Sequence, residues 1–321
     1  MRKEKNKAKT MCCVLLNIMV IMTMLFSLTG CKSGENNQKK SENRLADHVE
    51  VGDYVNYDAN SGLTTPITYN TNSDLTGYNG KSEFSSSDKV RWRVLSVDKG
   101  TGKVELIPEK SVGSVSFKGK TGFENAENVL NDIGAIYGHG KGATSGRSLN
   151  LDDVNNITGY VVNSPDINGE KNYSNADAKY PDKDKLPNGA KINGNSITVS
   201  NKLNNYFYNV YSYKDKSKGA QLLYEIGEEL YTKEYFLATR CIEIKQENDY
   251  CGFYLYKRNG DNKHMNYYES TRSISGEASL YWSSGREWER SGGVLPVVQL
   301  DNNCETTGKG EDGAWQLKFV A

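Results

Sequence analysis

The chain has 321 residues, and its 40 Lys and Arg balance its 40 Asp and Glu, so no basic excess argues for a nucleic-acid partner. Twenty-one tyrosines against eight phenylalanines, with 31 glycines and only six prolines, exclude a helical bundle and describe a β-rich, turn-rich protein.

The first ten residues carry Arg2, Lys3, Lys5, Lys7 and Lys9 against the single acid Glu4. Met11 to Ser27 follows without a charge, at the short edge of the roughly 17 to 25 residues that a membrane span needs. A basic stretch, an apolar run and a small-residue end, in that order, make an export signal. Leu28-Thr29-Gly30-Cys31 resembles the lipobox of bacterial lipoproteins, in which the Cys thiol takes up a diacylglycerol and the chain is cut just before it. The resemblance implies a signal peptide over 1–30, a lipidated Cys31 as the first mature residue, and attachment to the outer face of the cell membrane. One acyl chain, at about 0.8 kcal/mol per buried CH₂, holds a protein to a bilayer only marginally, whereas two hold it stably. The alternative reading of the same run is an uncleaved anchor helix. Without residues 1–30, which hold five of the bases and one of the acids, 35 basic residues face 39 acidic ones, a formal charge of −4.

Lys32 to Asp47 is almost free of apolar residues and reads as a tether, with residues 31–48 as linker and 49–321 as the globular part. At coil dimensions of about 5 to 6 Å times the square root of length, such a tether holds the domain on the order of 20 Å from the bilayer. Val51 to Tyr57 reads as a strand, and Ala59 to Ser87 as a polar excursion. Val90 to Val97 and Lys103 to Ile107 form a hairpin about the turn Asp98-Lys-Gly-Thr-Gly. Phe123, Ala126, Val129, Leu130, Ile133, Ile136 and Tyr137 recur at spacings of three and four, which predicts an amphipathic helix lying on a sheet and ended by Gly138-His-Gly-Lys-Gly. A short helix over Leu151 to Ile157 follows, capped by Asn150 with two acids in its first turn.

Asn163 to Asn195 is polar throughout and reads as a surface insertion, with a sub-boundary near 163–198. Ala220 to Tyr231 reads as a helix, and Phe236 to Lys245 and Tyr250 to Lys257 as a hairpin. On its second strand Phe253 and Leu255 share one face with Cys251, and Tyr254 and Tyr256 share the other. Strands at Leu280 to Ser284 and Gly293 to Leu300 and a weaker one over Ala314 to Val320 complete an α+β fold, mostly antiparallel β with two or three amphipathic helices and long polar loops.

Of six cysteines, Cys12 and Cys13 leave with the signal, Cys31 is the lipidation site, and Cys241, Cys251 and Cys304 remain where a disulfide is permitted. In a hairpin centred on Gln246, residues whose numbers sum to 492 face one another, which pairs Cys241 with Cys251 and leaves Cys304 as the odd thiol. The other reading is three small buried residues, because a one-residue slip would send the two thiols to opposite faces.

Four segments together resemble an uncharacterised extracellular domain family of Gram-positive gut bacteria. They are Val51-Gly-Asp-Tyr-Val-Asn-Tyr; Trp92-Arg-Val-Leu-Ser-Val-Asp; Ile136 to Val154; and Phe236-Leu-Ala-Thr-Arg-Cys with Gly293-Val-Leu-Pro-Val-Val-Gln-Leu. That family carries Arg at the position of Leu295, so any role of its charge is absent here. The tryptophan strand and the Pro-Val-Val strand are also similar to domains of the C-type lectin and formylglycine-generating enzyme type, which implies a mixed α+β fold. A fold analogy does not carry function.

The mature chain has three histidines, His48, His139 and His264, and each sits in a polar or glycine-rich context without a nucleophile motif beside it. Gly134-Ala-Ile-Tyr-Gly-His-Gly-Lys-Gly misses the phosphate-loop spacing and leaves a helix instead of entering one. Asp166-Ile-Asn-Gly-Glu and Asp182-Lys-Asp do not complete a calcium-loop register, and no Cys or His pair has zinc spacing. The sequence therefore names no catalytic residue, metal site or cofactor. Tyr254, Tyr256, Tyr267, Tyr268, Tyr281 and Trp282 are the binding candidates, because Tyr and Trp give large, rigid, half-polar contact area at low entropy cost; the other reading of the same residues is ordinary sheet positions half buried beneath loops. The expected function is a lipid-anchored surface lipoprotein that binds a glycan, peptide or surface protein. The alternatives are a cell-envelope enzyme acting on carbohydrate through paired carboxylates and a purely structural surface protein.

Overall fold

The computed structural model describes residues 42–158, 217–228, 234–245, 250–258, 276–282 and 286–319, with short strands at 171–174, 190–193, 196–199, 210–211 and 272–273. Cys31, Met11–Ser27, Tyr267, Tyr268, His264 and both acidic loops fall outside these residues. No described helix is long and apolar enough to cross a membrane.

The chain enters through a one-turn helix α1 (Leu45–His48) and strand β1 (Tyr54–Asn56). In the polar excursion, β2 (Thr68–Asn70) pairs with β3 (Glu83–Ser85) around α2 (Ser73–Thr76), whose N-cap Asn72 accepts from Leu75 N. The expected hairpin is β4 (Trp92–Asp98) with β5 (Lys103–Pro108). β6 (Ser114–Lys118) leads into the long helix α3 (Gly119–Ile136), a 3-10 turn at Tyr137–His139 and β7 (Ala143–Ser148). Next come α4 (Leu151–Thr158), β8 (Lys171–Ser174), β9 (Ala190–Asn193), β10 (Ser196–Val199), β11 (Val210–Tyr211) and α5 (Lys218–Glu228). The last elements are β12 (Tyr235–Lys245), β13 (Tyr250–Arg258), β14 (Arg272–Ser273), β15 (Gly276–Trp282), β16 (Glu289–Gly293), β17 (Pro296–Leu300), β18 (Glu305–Lys309) and β19 (Trp315–Lys318).

The result is α+β and mostly β, as expected. A seven-stranded sheet has the order β18-β19-β1-β4-β5-β17-β7, and a five-stranded sheet has the order β15-β13-β12-β16-β6. Pairing is antiparallel except for β1 with β19 and β12 with β16. The segment read as one strand over Gly293 to Leu300 divides between the sheets: Gly293 closes β16 in one and Pro296 opens β17 in the other. The buried Val294 and Leu295 make the crossing. The insertion read as loop contains the three-stranded antiparallel sheet β8-β10-β9, since backbone pairing needs no apolar alternation.

One core lies around α3, which buries Phe123, Ala126, Val129, Leu130, Ile133 and Ile136 against strands of both sheets. Edge-to-face ring pairs lock it: Phe123 with Phe253 at 5.3 Å, Phe117 with Phe236 at 5.5 Å and Trp92 with Tyr57 at 5.5 Å. Each such side chain contributes about 1.5–3 kcal/mol on burial, and Phe123→Ala, which also opens a cavity, costs about 3–5 kcal/mol. A second core joins Leu95, Ile107 and Val297 of the large sheet to Leu151 and Val154 of α4 and Leu222, Leu223 and Ile226 of α5. The Arg93 Nη1 to Glu225 Oε2 bond, 2.6 Å, ties α5 to β4.

The folded part begins earlier than Val49. Leu45 and Ala46 are 0% and 1% exposed, and the entering chain runs antiparallel to β18: Thr306 N donates to Asn43 O, Arg44 bridges Glu305, and Leu45 N donates to Cys304 O. Two apolar residues suffice in this polar run because strand-edge pairing satisfies the backbone around them.

Candidate ligand cleft

The tyrosine face of the hairpin is not a surface. Tyr254 and Tyr256 are 2% and 3% exposed, and they belong to the second core with α4 and α5 above them. The alternation was right, with Phe253 and Leu255 facing the first core, but over Phe253 to Tyr256 both faces of β13 are covered. Tyr281 and Trp282 stand on β15 at the register positions opposite Phe253 and Gly252. The hairpin register pairs Cys241 with Tyr254 and Cys251 with Ile244, so partner numbers sum to 495 and the two cysteines are not partners. Cys304 is a buried free thiol, pushed up to about 11 by burial first and then by the carboxylates of Asp301 and Glu305.

A concavity among the described residues lies elsewhere, where α1 meets the β18–β19 hairpin. Asn43, His48, Thr306, Thr307, Gly308, Trp315 and Lys318 line a cleft of about 410 Å³. Trp315 is its half-buried wall. The indole Nε1 donates to Asp53 Oδ2 at 3.1 Å, the His48 ring lies 5.7 Å away at a tilt of 36°, and the Lys309 ammonium is 5.1 Å from the ring centroid. His48 Nε2 in turn lies 3.0 Å from Glu42 O. His48, the last residue of the segment read from sequence as linker, is exposed but placed by these contacts.

A β-bulge shapes the rim. Thr306 pairs with Leu317 and Gly308 with Gln316, which leaves Thr307 as the extra residue without a register partner. Gly308 has φ +104°, a conformation open to glycine, and a Cβ there would meet nothing within 4 Å. The backbone angle, and not crowding, requires this glycine. The cationic groups around the cleft are matched: Lys318 Nζ is 2.9 Å from Glu305 Oε2, and Lys309 Nζ is 4.0 Å from Asp53 Oδ1.

The glycine-rich segment after α3 has a packing reason. A Cβ at Gly134 would lie 2.1 Å from the Arg147 carbonyl carbon, and one at Gly138 would lie 2.2 Å from Gly146 N. Only hydrogen side chains let the helix end pass so close to β7. The strand itself carries Arg147, whose Nη2 reaches Asp153 Oδ1 at 2.7 Å and Glu105 Oε1 at 3.1 Å. Burial pushes the Glu105 carboxyl up, but bonds from Ser96 and Lys103 and the charge of Arg147 outweigh it, and its pKa falls below the usual 4.5. Glu105 and Asp153 are the buried carboxylates among the described residues, and one guanidinium holds both. Among the described residues no three His, Cys, Asp or Glu side chains cluster as a metal site would.

Comparison with protein-family models, with curated proteins and with solved structures finds no match to this chain. Trp315 was not singled out in the sequence because it lies in the weak strand over Ala314 to Val320, and nothing local says that α1 packs beside it.

Proposed function

We propose that the chain is a lipid-anchored cell-surface lipoprotein whose folded part binds a ligand without catalysis, through the cleft that His48, Thr307 and Trp315 help to line. The observation that carries the anchor is the order of basic stretch, apolar run and Leu28-Thr29-Gly30-Cys31. The observation that favours the cleft over the tyrosine face is burial: Tyr254 and Tyr256 are core residues, whereas Trp315 is held at a surface concavity. Glu105, ionised and bound to Arg147, is unsuited to act as the general acid of a carboxylate pair.

The anchor is tested by Cys31→Ser in the producing cell. The variant is expected in the soluble fraction or as an unprocessed precursor, and metabolic acyl labelling should vanish. Continued recovery as a mature, acylated membrane protein overturns the reading.

A further inference from the structure

We infer that Asn79 is a modification site, converted to aspartate and isoaspartate through a cyclic imide that it forms with Gly80, and that the folded chain leaves this reaction open. The chain holds five Asn-Gly pairs, at Asn79, Asn168, Asn188, Asn193 and Asn259. Asn79-Gly80 is the pair with both members among the described residues.

In the first step the Gly80 nitrogen attacks the side-chain carbonyl carbon of Asn79, a five-membered imide ring forms, and the amide nitrogen leaves as ammonia. Water then opens the ring at one carbonyl to give aspartate or at the other to give isoaspartate, which carries an extra methylene in the backbone. No oxidant, reductant or cofactor is consumed. The ring can close only where the attacking nitrogen is not held in a hydrogen bond, the side chain can turn, and no Cβ on the next residue crowds the approach.

The turn between α2 and β3 meets each of these needs. Its ends are clamped: Tyr78 N donates to Thr76 Oγ1 at 3.2 Å, Thr71 N donates to Ser82 O at 2.9 Å, and Ser82 N donates to Thr71 Oγ1 at 2.8 Å. Between the clamps Asn79 is exposed, and among the described residues neither its side-chain amide nor the Gly80 N–H has a hydrogen-bond partner. Other asparagines are held. The side-chain oxygens of Asn72, Asn131 and Asn150 accept from the backbone N–H of Leu75, Ser148 and Asp153 at 3.1, 3.1 and 2.9 Å. A Cβ at Gly80 would lie 2.1 Å from Cε1 of the half-buried Tyr78 ring, so packing itself keeps a glycine after Asn79. Either product adds a carboxylate to the surface, and isoaspartate also lengthens a turn whose flanks carry Thr76 and Phe84, each 1% exposed.

The test is ageing of the folded full-length protein in neutral buffer, with mass spectrometry of the tryptic peptide Leu45 to Lys81 and chromatographic separation of its aspartate and isoaspartate forms. A gain of about one mass unit located at Asn79 is expected, at a rate within about threefold of that in a free peptide of residues 73–81. Asn79→Gln, which would have to close a six-membered ring, should abolish the gain without a change in Tm. A folded-state rate at least tenfold below that of the peptide overturns the inference, because the fold would then be locking the pair. A gain in this peptide that persists in Asn79→Gln, or that maps to another asparagine, overturns the site.

Discussion

Asp53 Oδ2 accepts the indole proton of Trp315 at 3.1 Å and so joins the turn before β1 to the last strand of the sheet. The same oxygen accepts from Glu50 N at 3.0 Å, which makes Asp53 the link between the entry turn and the cleft wall. A hydrogen bond to a charged group contributes about 1.5–3 kcal/mol. Asp53→Ala is therefore expected to lower unfolding free energy by about 1–3 kcal/mol in urea denaturation, and Asp53→Asn, which keeps an acceptor, by less. Equal midpoints for wild type and Asp53→Ala would remove the role of this contact.

Arg147 makes the next prediction, through Glu105 and Asp153. Its removal leaves two carboxylates buried without their counter-ion, a loss of about 3–5 kcal/mol for a fully buried group and toward the lower end here, because its side chain is 33% exposed. Arg147→Lys should recover only part, since a single ammonium cannot bind two carboxylates as the planar fork does. The pH dependence follows from the lowered pKa of Glu105: the carboxylate form stabilises the fold above 4.5, and that contribution fades as pH falls from 4.5 through the lower folded value. Glu105→Gln should accordingly be less stable than wild type at pH 7, with the gap narrowing below pH 4.5. A gap that widens on acidification contradicts the assignment.

Much of this fold was legible in the sequence, and the failures share a cause. β4, β5, α3 and the β12–β13 hairpin announce themselves because each buries apolar residues at its own period. β6, β7 and β18, with the sequences Ser-Val-Ser-Phe-Lys, Ala-Thr-Ser-Gly-Arg-Ser and Glu-Thr-Thr-Gly-Lys, do not, because their stability comes from neighbours far along the chain, such as Pro296 opposite Ser148, or from an edge pairing. The cleft needed β18 and the entry segment together, and neither has a local signature. The tyrosine face failed for a different reason: period two says that β13 has two faces, but only the packing of α4 and α5 says that both are covered.

Tyr254 and Tyr256 therefore behave as core residues. Either one changed to Ala should cost about 3–5 kcal/mol, the range for buried aromatic truncation. Thermal unfolding with far-UV detection separates this from a surface role: an unchanged Tm with altered ligand binding would restore the tyrosine face as a site.

The cysteines close the set. The hairpin register sets Cys251 three residues along from the position opposite Cys241, about 10 Å at strand rise, whereas a disulfide needs Cα atoms within about 7 Å. Peptide mapping under non-reducing conditions should find no Cys241–Cys251 linkage, and recovery of that linked peptide would require a different register. Cys304 is inert for another reason. With its pKa near 11, roughly one thiol in ten thousand is ionised at pH 7, and burial hides the sulfur besides. Its labelling by an aromatic disulfide reagent should follow the rate of unfolding and accelerate with urea. Fast stoichiometric labelling of Cys304 in the native protein, located by mass spectrometry, contradicts the buried placement beneath the entry helix.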